Sequence, residues 1–300
     1  MNLKELQRFV VTADEGSIVA AAARLGLSQP ALTRSIAMLE DTVGAPLFDR
    51  LPRGMGLTSA GAILLPQAKL ILRDSQRFTD TIAQLQTVSG GSVGFGITPS
   101  LLETIGLEAV KAFSGQYVGV SLTVHAAPLP ELMQMLQDGR LDLCLATVGA
   151  EALPGELRLE PLFEQTLSFL VGEDHPLAKL STVSYEVLSA QKWVVINAPA
   201  AIDALVKRFE ANGAPPPFFN VRTLSLSLQK NLLLTGEYVA IMDQDVVRPE
   251  LDQGRIRILQ TKFAELWLKS GLLFRREAQS TPAAGALAQL IRQAAQSRHR

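Results

Sequence analysis

Residues Gly16–Gly54 read GSIVAAAARLGLSQPALTRSIAMLEDTVGAPLFDRLPRG, and this stretch decides how the N-terminal part of the chain folds. Ile18, Ala21, Ala22 and Leu25 recur at helical spacing, and Leu32, Ile36, Leu39 and Val43 do so again a few residues later. Only Leu25-Gly26-Leu27-Ser28 separates the two runs. Gly26 can take the left-handed conformation that ends a helix. Ser17 and Ser28 can each accept from the free amides that open the helix following them. The spacing predicts two short helices joined by a tight turn, a helix-turn-helix whose second helix is shaped to enter a DNA major groove.

Working outward, Leu32, Ile36 and Leu39 point inward, which leaves Pro30, Thr33, Arg34 and Ala37 on the opposite face at about 100° per residue. Ser28 and Gln29 flank them at the helix start. Arg can grip guanine, Gln can pair with adenine, and Thr or Ala can touch a thymine methyl. Ser28, Gln29, Pro30, Thr33 and Arg34 are therefore candidate DNA contacts. Pro30 is tolerated in a first turn, where its missing N–H costs little. Beyond Gly44-Ala45-Pro46, strands at Leu47–Arg50 and Gly56–Thr58 would form a small wing around Pro52-Arg53-Gly54, with Arg50 and Arg53 set to meet phosphates. Before the motif, Asn2 and Glu5 resemble a capping box opening a helix with Leu3, Leu6, Phe9, Val10 and Ala13 inside, ending near Glu15-Gly16.

Composition constrains the rest. The chain has 300 residues, 47% hydrophobic and 19% charged, with a net charge of -1, which excludes a generic polyanion binder and allows two or more domains. Residues 1–60 carry six basic and six acidic side chains, so DNA binding must rest on where the arginines lie rather than on net charge. The start shows no apolar core with a cleavage site, and no run approaches the roughly 20 apolar residues that span a bilayer. Cys144 is the one cysteine, so no internal disulfide is possible, which fits a reducing cytoplasm. His125, His175 and His299 are too scattered for a metal site, and no cofactor motif is present.

Thr58-Ser59-Ala60-Gly61 can cap a helix running to about Val88. Leu64, Ala68, Ile71, Ser75, Phe78, Ile82, Leu85 and Ser89 alternate at spacings of four and three, the seam of a coiled coil. Leu64, Ala68, Ile71, Phe78, Ile82 and Leu85 are the candidate dimerisation residues, and Pro66 should bend the first turns. A two-fold pair would demand an inverted-repeat site. Ser89-Gly90-Gly91-Ser92 reads as a hinge.

Strands then alternate with helices, as in an α/β domain with a mostly parallel sheet. Strands are expected at Val93–Thr98, Val118–Val124, Leu141–Val148, Thr166–Gly172, Trp193–Ile196, Phe218–Arg222, Tyr238–Met242 and Leu266–Arg275. Helices are expected at Pro99–Phe113, through Leu136, and at Ile202–Asn212, Leu226–Thr235 and Pro282–Arg298. The expected domains are 1–58, 59–89 and 92–300, the last split into lobe I (about 92–162 and 266–300) and lobe II (about 163–265). Ligands in such lobes sit beyond the C-terminal ends of the parallel strands. Thr98, Pro99, Ser100, Thr147, Asn197 and Thr223 occupy those ends and are the candidate effector contacts. Oriented amides and hydroxyls there favour a small organic anion such as a carboxylate, aromatic ones included, while Ala126-Ala127-Pro128-Leu129 adds an apolar part.

The run Leu6-x2-Phe9, Gly16-Ser17, Ala21-Ala22-x2-Leu25, Ser28-Gln29-Pro30-Ala31-Leu32-Thr33, Ile36-x2-Leu39-Glu40, Gly44-x2-Leu47-Phe48-x-Arg50 and Leu57-Thr58-x2-Gly61 resembles the N-terminal signature of the LysR-type transcriptional regulators. The resemblance implies a winged helix-turn-helix, a long dimerisation helix and a two-lobed effector domain like a type 2 periplasmic binding protein. It also implies that the Thr98–Ser100 turn and the Thr147 and Asn197 regions hold the effector. The partners it implies are double-stranded DNA, a small-molecule effector and the chain itself, as a dimer or tetramer, with RNA polymerase as a further expected partner. One alternative is an enzyme carrying a DNA-binding module, for which the residues supply no phosphate loop, nucleophile elbow or metal spacing. Another is a thiol redox sensor, which would need a partner for Cys144.

Overall fold

Asn2 Oδ1 accepts from the Glu5 amide at 3.0 Å and Glu5 Oε2 accepts from the Asn2 amide at 2.9 Å, a closed capping box from which helix α1 (Leu3–Glu15) departs. The coordinates are those of a computed structural model, which describes residues 1–51, 54–86, 91–149, 153–261, 266–277 and 280–297. They divide into two units, principally Met1–Gly91 and Ser92–Arg300.

In the first unit α2 (Ile18–Leu25) is capped by Ser17 and stopped by Gly26 at φ 64°. Helix α3 (Gln29–Val43) then begins on Ser28, whose hydroxyl accepts from Ala31 N at 3.4 Å. Strands β1 (Phe48–Leu51) and β2 (Gly54–Leu57) pair antiparallel, each displaced by a residue or two from its expected span. Glu40 fixes this hairpin to α3, since its Oε1 accepts from the amides of Leu47 at 2.7 Å and Phe48 at 3.3 Å. Gly54, at φ 102°, also lets the strand touch the α1–α2 turn: a Cβ there would lie 2.5 Å from the Gly16 oxygen. Leu6, Phe9, Ala21, Ala22, Leu32, Ile36, Leu39, Leu47 and Phe48 form the core, with Phe9 edge-on to Phe48 at 5.5 Å. Leu3, expected inside, is exposed because it lies on the first turn, beyond the packed face.

Helix α4 (Ser59–Gln86) runs on through Pro66. Its expected seam divides. Ala68 is buried and Leu64 half-buried against the winged core, so these two are taken up within the chain, whereas Ile71 and Phe78 are exposed. The side chains of Ile82 and Leu85 and residues 87–90, which include Ser89 and Gly90 of the expected hinge, lie outside the described set.

The second unit begins with β3 (Ser92–Ile97) and α5 (Pro99–Leu101). The helix expected over Pro99–Phe113 is broken here by a π-turn, Leu102–Gly106, before α6 (Leu107–Gln116). There follow β4 (Ser121–Ala126), α7 (Leu129–Gln137), β5 (Leu143–Val148) and the long β6 (Leu157–Gly172). After a 3-10 turn at Pro176–Lys179 come α8 (Tyr185–Ser189), β7 (Lys192–Ile196), α9 (Pro199–Ala211), β8 (Val221–Thr223), α10 (Leu226–Leu234) and β9 (Tyr238–Asp243). The chain closes with α11 (Arg248–Asp252), β10 (Ile256–Ile258), β11 (Leu266–Arg275) and α12 (Pro282–Ser297). Val118 and Phe218, expected in strands, are exposed before β4 and β8 begin.

The strand order is β4-β3-β5-β11-β6-β9-β7-β8, with β10 beside β6. β3, β4 and β5 are parallel, as are β7, β8 and β9. The antiparallel pair β6 and β11 links the two sets. One core gathers Val93, Phe95, Leu143, Leu145, Phe163, Leu272, Leu287 and Ile291. A second gathers Leu167, Phe169, Tyr185, Trp193, Phe209, Val239 and Leu268. The changeover falls between Phe163 and Leu167 on β6 and between Leu268 and Leu272 on β11, so each linking strand serves both lobes.

β6 starts at Leu157 rather than at the expected Thr166. Its first half, with Arg158, Glu160, Pro161 and Glu164, lacks an apolar pattern, and Pro161 hides the strand. The ladder accommodates that proline by a register shift, Ser270 facing Phe163 and Gly271 facing Pro161, with Leu162 as the extra residue. Only glycine fits at 271, where a Cβ would lie 2.3 Å from the Glu160 oxygen. The Arg292 guanidinium binds both Glu160 oxygens at 2.6 and 2.9 Å, tying α12 to β6 and holding the carboxyl below its usual range.

Candidate DNA interface and ligand site

The winged core fixes which side of α3 faces out. Leu32, Ser35, Ile36 and Leu39 are buried, and Ser28, Gln29, Pro30, Thr33, Arg34 and Ala37 are all exposed. One face of α3 thus offers an amide, a hydroxyl and a guanidinium within its first two turns, the donor and acceptor types that read base edges. Arg50 lies in β1, and Arg53 lies outside the described residues.

One residue escaped the sequence reading. Arg8, from α1, donates to Ser35 Oγ at 2.8 Å and lines a hollow of about 350 Å³ with Pro30, Ala31, Arg34 and Met38. A second guanidinium therefore sits beside Arg34. Its signal was available, since Arg8 lies between the inward residues Leu6 and Phe9 and so flanks the packed face, but the pairing with α3 is tertiary.

In the second unit the strand ends collect the expected residues in two pairs. The Thr98 amide donates to the Leu145 oxygen at 3.1 Å, which sets the Thr98-Pro99-Ser100 turn beside the end of β5, where Thr147 lies. The Asn197 amide donates to the Thr223 oxygen at 2.8 Å, joining the ends of β7 and β8. Gly149, just past β5, approaches Ala200 at the start of α9 so closely that a Cβ would meet the Ala200 Cβ at 3.0 Å. The two lobes touch there.

The hydroxyls differ in their state. Thr98 is 9% exposed, and its Oγ1 is buried without a hydrogen-bond partner. A buried polar atom with no partner costs about 1–3 kcal/mol, a cost that a ligand group or a water donating to it or accepting from it removes. Thr147, half-buried at the end of β5, is already engaged: its hydroxyl donates to Gln165 Oε1 at 2.6 Å and lies 3.1 Å from Ser270 Oγ. Ser270 also donates to Gln165 Oε1 at 3.1 Å, and Gln165 Nε2 donates to Asp243 Oδ2 at 3.2 Å. This buried chain of polar groups spans β5, β11, β6 and β9, the strands on which the lobes change over. Thr223 Oγ1 accepts from the Ser225 amide at 3.0 Å, a turn bond that leaves its proton to donate elsewhere.

Cys144 is fully buried in β5, and burial pushes its thiol up, the opposite of the lowered, accessible thiol that a redox sensor uses. Among the described residues no group of His, Cys, Asp or Glu could hold a metal ion, and no helix is long and apolar enough to cross a membrane.

A winged helix-turn-helix followed by a two-lobed α/β domain defines the class of ligand-responsive DNA-binding regulators. Residues 3–62 match the family described as bacterial regulatory helix-turn-helix protein, lysR family, and residues 86–296 match the LysR substrate binding domain. The chain belongs to the LysR family of transcriptional regulators. It is similar to the transcriptional regulator PcaQ of Agrobacterium fabrum, 26% identical over 98% of this chain and 95% of that protein. It is also similar to TdcA of Escherichia coli, 28% identical over 78% of this chain and 74% of that protein. In fold it resembles full-length CbnR complexed with its target DNA, with a TM-score of 0.70 at 19% identity over 98% of this chain and 100% of that one. ArgP from Mycobacterium tuberculosis gives 0.74 at 17% identity over 97% and 96%. The chain is thus a regulator with a DNA-binding head and an effector-binding domain, and the alternative of an enzyme carrying a DNA-binding module is set aside.

Proposed function

We propose that two copies of the head, paired through α4, read an inverted-repeat site with Ser28, Gln29, Pro30, Thr33 and Arg34 in successive major grooves and Arg50 and Arg53 on the flanking phosphates. The exposure of Ile71 and Phe78 on α4 supports pairing there, with Ile82 and Leu85 continuing the seam, and two such pairs would make a tetramer. The functional divisions are 1–58 for the head, 59–89 for the pairing helix and 92–300 for the effector domain. The setting is the cytoplasm, with RNA polymerase as a further partner.

The effector is a small organic anion held between Thr98-Pro99-Ser100 and the Asn197–Thr223 pair, with Thr147 acting through Gln165. The observation that carries this is the buried, unpartnered Thr98 hydroxyl at a strand end. Effector would favour one lobe arrangement by its higher affinity for it and so alter the geometry of the bound DNA. The test is the double variant Thr98→Val, Ser100→Ala in an induction assay. Loss of the response with DNA binding unchanged in the absence of effector is expected. An unaltered induction curve would place the ligand elsewhere.

A further inference from the structure

The acidic side chains of α1 are all engaged away from Arg8. Glu5 closes the capping box with Asn2, Asp14 pairs with Lys69 at 2.9 Å, and Glu15 pairs with Arg24 at 2.6 Å. Among the described residues neither Arg8 nor Arg34 forms an ion pair. What Arg8 does meet is the neutral Ser35 hydroxyl, which accepts from its Nη1 at 2.8 Å. A guanidinium carries five N–H donors in a planar fork. The bond to Ser35 therefore orients the group while leaving its charge and most of its donors unspent.

Helical periodicity says which side of α3 this charge occupies. At about 100° per residue Ala31, Ser35 and Met38 fall on one flank, Thr33, Ala37 and Glu40 on the other, and Pro30 and Arg34 on the crest between. Glu40 holds the wing through the Leu47 and Phe48 amides. The wing and Arg8 thus stand on opposite flanks of the helix. Between Arg8 and the crest lies the open hollow of about 350 Å³, with Arg34 on its rim. Lys4, exposed one turn before Arg8 on the same face of α1, adds charge of the same sign. A major groove about 12 Å wide admits an α-helix and is walled by the two phosphate backbones. A helix lying there with the wing toward one wall turns its other flank to the other wall.

We infer that Arg8 is a phosphate anchor. Its guanidinium, oriented by Ser35, holds a DNA backbone phosphate on the side of α3 opposite the wing, and the hollow admits that phosphate. The inference rests on the reading that the outer face of α3 enters the major groove. A contact to the backbone adds affinity and register without sequence preference. It also releases counterions, so it adds to the salt dependence of binding.

The test is fluorescence anisotropy of the full-length chain across a range of salt concentrations. Two labelled duplexes are compared, one selected by the wild-type chain from a random pool and one of unrelated sequence. Arg8→Gln should weaken binding to both roughly tenfold, the loss expected of one charge-assisted hydrogen-bonded contact. It should lower the slope of log affinity against log salt by about one for each head bound, and leave the ratio between the duplexes unchanged. Arg8→Lys, which keeps the charge, should restore the slope. Melting curves establish that each variant is folded. Wild-type affinity and slope in Arg8→Gln, weakening confined to the selected duplex, or a slope that Arg8→Lys fails to restore would each overturn the assignment. Arg34→Ala, measured alongside, keeps the two claims apart. If it leaves the ratio unchanged while Arg8→Gln weakens both duplexes, the base-reading role of Arg34 fails and the phosphate contact of Arg8 stands.

Discussion

On α3 the candidate contacts Gln29, Pro30, Thr33 and Arg34 fall within two turns of one helix, and neighbours in sequence, Ser28 and Gly44, fix both helix ends. In the C-terminal unit Thr98, Thr147, Asn197 and Thr223 come from four strand ends, and long-range bonds bring them together in pairs. The head is therefore a local structure resting on a small core. The proposed ligand site is non-local and depends on a sheet whose two central strands serve both lobes. A change in the head should act through packing and caps, and a change in the lobes should act through shared networks.

The largest effect expected to sharpen this contrast is at Leu32, which is fully buried in the head. Leu32→Ala should cost about 3–5 kcal/mol, the range for truncating a packed leucine. Calorimetric unfolding should show the first unit melting early and DNA binding lost, with ligand binding by the second unit unchanged. If both units lost stability together, they would not be separable.

Next is Gln165→Leu. It removes the acceptor that the Thr147 and Ser270 hydroxyls share, leaving them only each other at 3.1 Å, and takes one donor from Asp243, at a cost of roughly 1–3 kcal/mol. Urea unfolding of the second unit should report that loss, and the effector response should fall with it. A response kept at full strength would separate the network from the ligand site.

Gly26→Ala is smaller, about 1–2 kcal/mol, because a left-handed alanine is strained whatever the space around it. Nothing lies within 4 Å of a Cβ at that position, so the cost is conformational alone and should appear only in the melting of the first unit.

The smallest effect is at His175, which is buried and accepts from the Leu177 amide through Nδ1 at 3.1 Å. Burial holds its pKa below the ordinary 6.5, so below that pH the unfolded chain takes up a proton that the folded chain refuses. Stability of the second unit should fall as pH drops from about 7 to about 5, and above that window the group contributes no slope. His175→Asn keeps an acceptor for the amide and should flatten the pH dependence of urea unfolding in that range.

The same contrast explains what the sequence made legible. Ser17, Gly26 and Ser28 act on their immediate neighbours, so the helix-turn-helix and its outward face could be read directly. Ser28-Gln29-Pro30 and Arg34 then stand where helical periodicity puts them. The lobes were legible as alternating strands and helices, and Thr98, Thr147, Asn197 and Thr223 as residues at strand ends. Their state was not legible. Whether a threonine hydroxyl is unpartnered, as at 98, or engaged, as at 147, depends on Gln165 and Ser270, which are distant in sequence. The first half of β6 was hidden by Pro161 and its charged neighbours, because the bulge that admits the proline is a property of the pair with β11. The division of the α4 seam, with Ala68 packed inward and Phe78 exposed, likewise needed the core it packs on.

The central claim, that sequence reading resides in one face of α3, is tested most directly at Arg34. Full-length wild type and Arg34→Ala would be compared in a competition shift assay. It would use a duplex selected by the wild-type chain from a random pool, set against bulk DNA at fixed salt. A lost base contact of about 1–3 kcal/mol predicts that preference for the selected duplex falls roughly 10- to 100-fold while binding to bulk DNA changes little. Unchanged preference, or an equal loss on both DNAs, would contradict it.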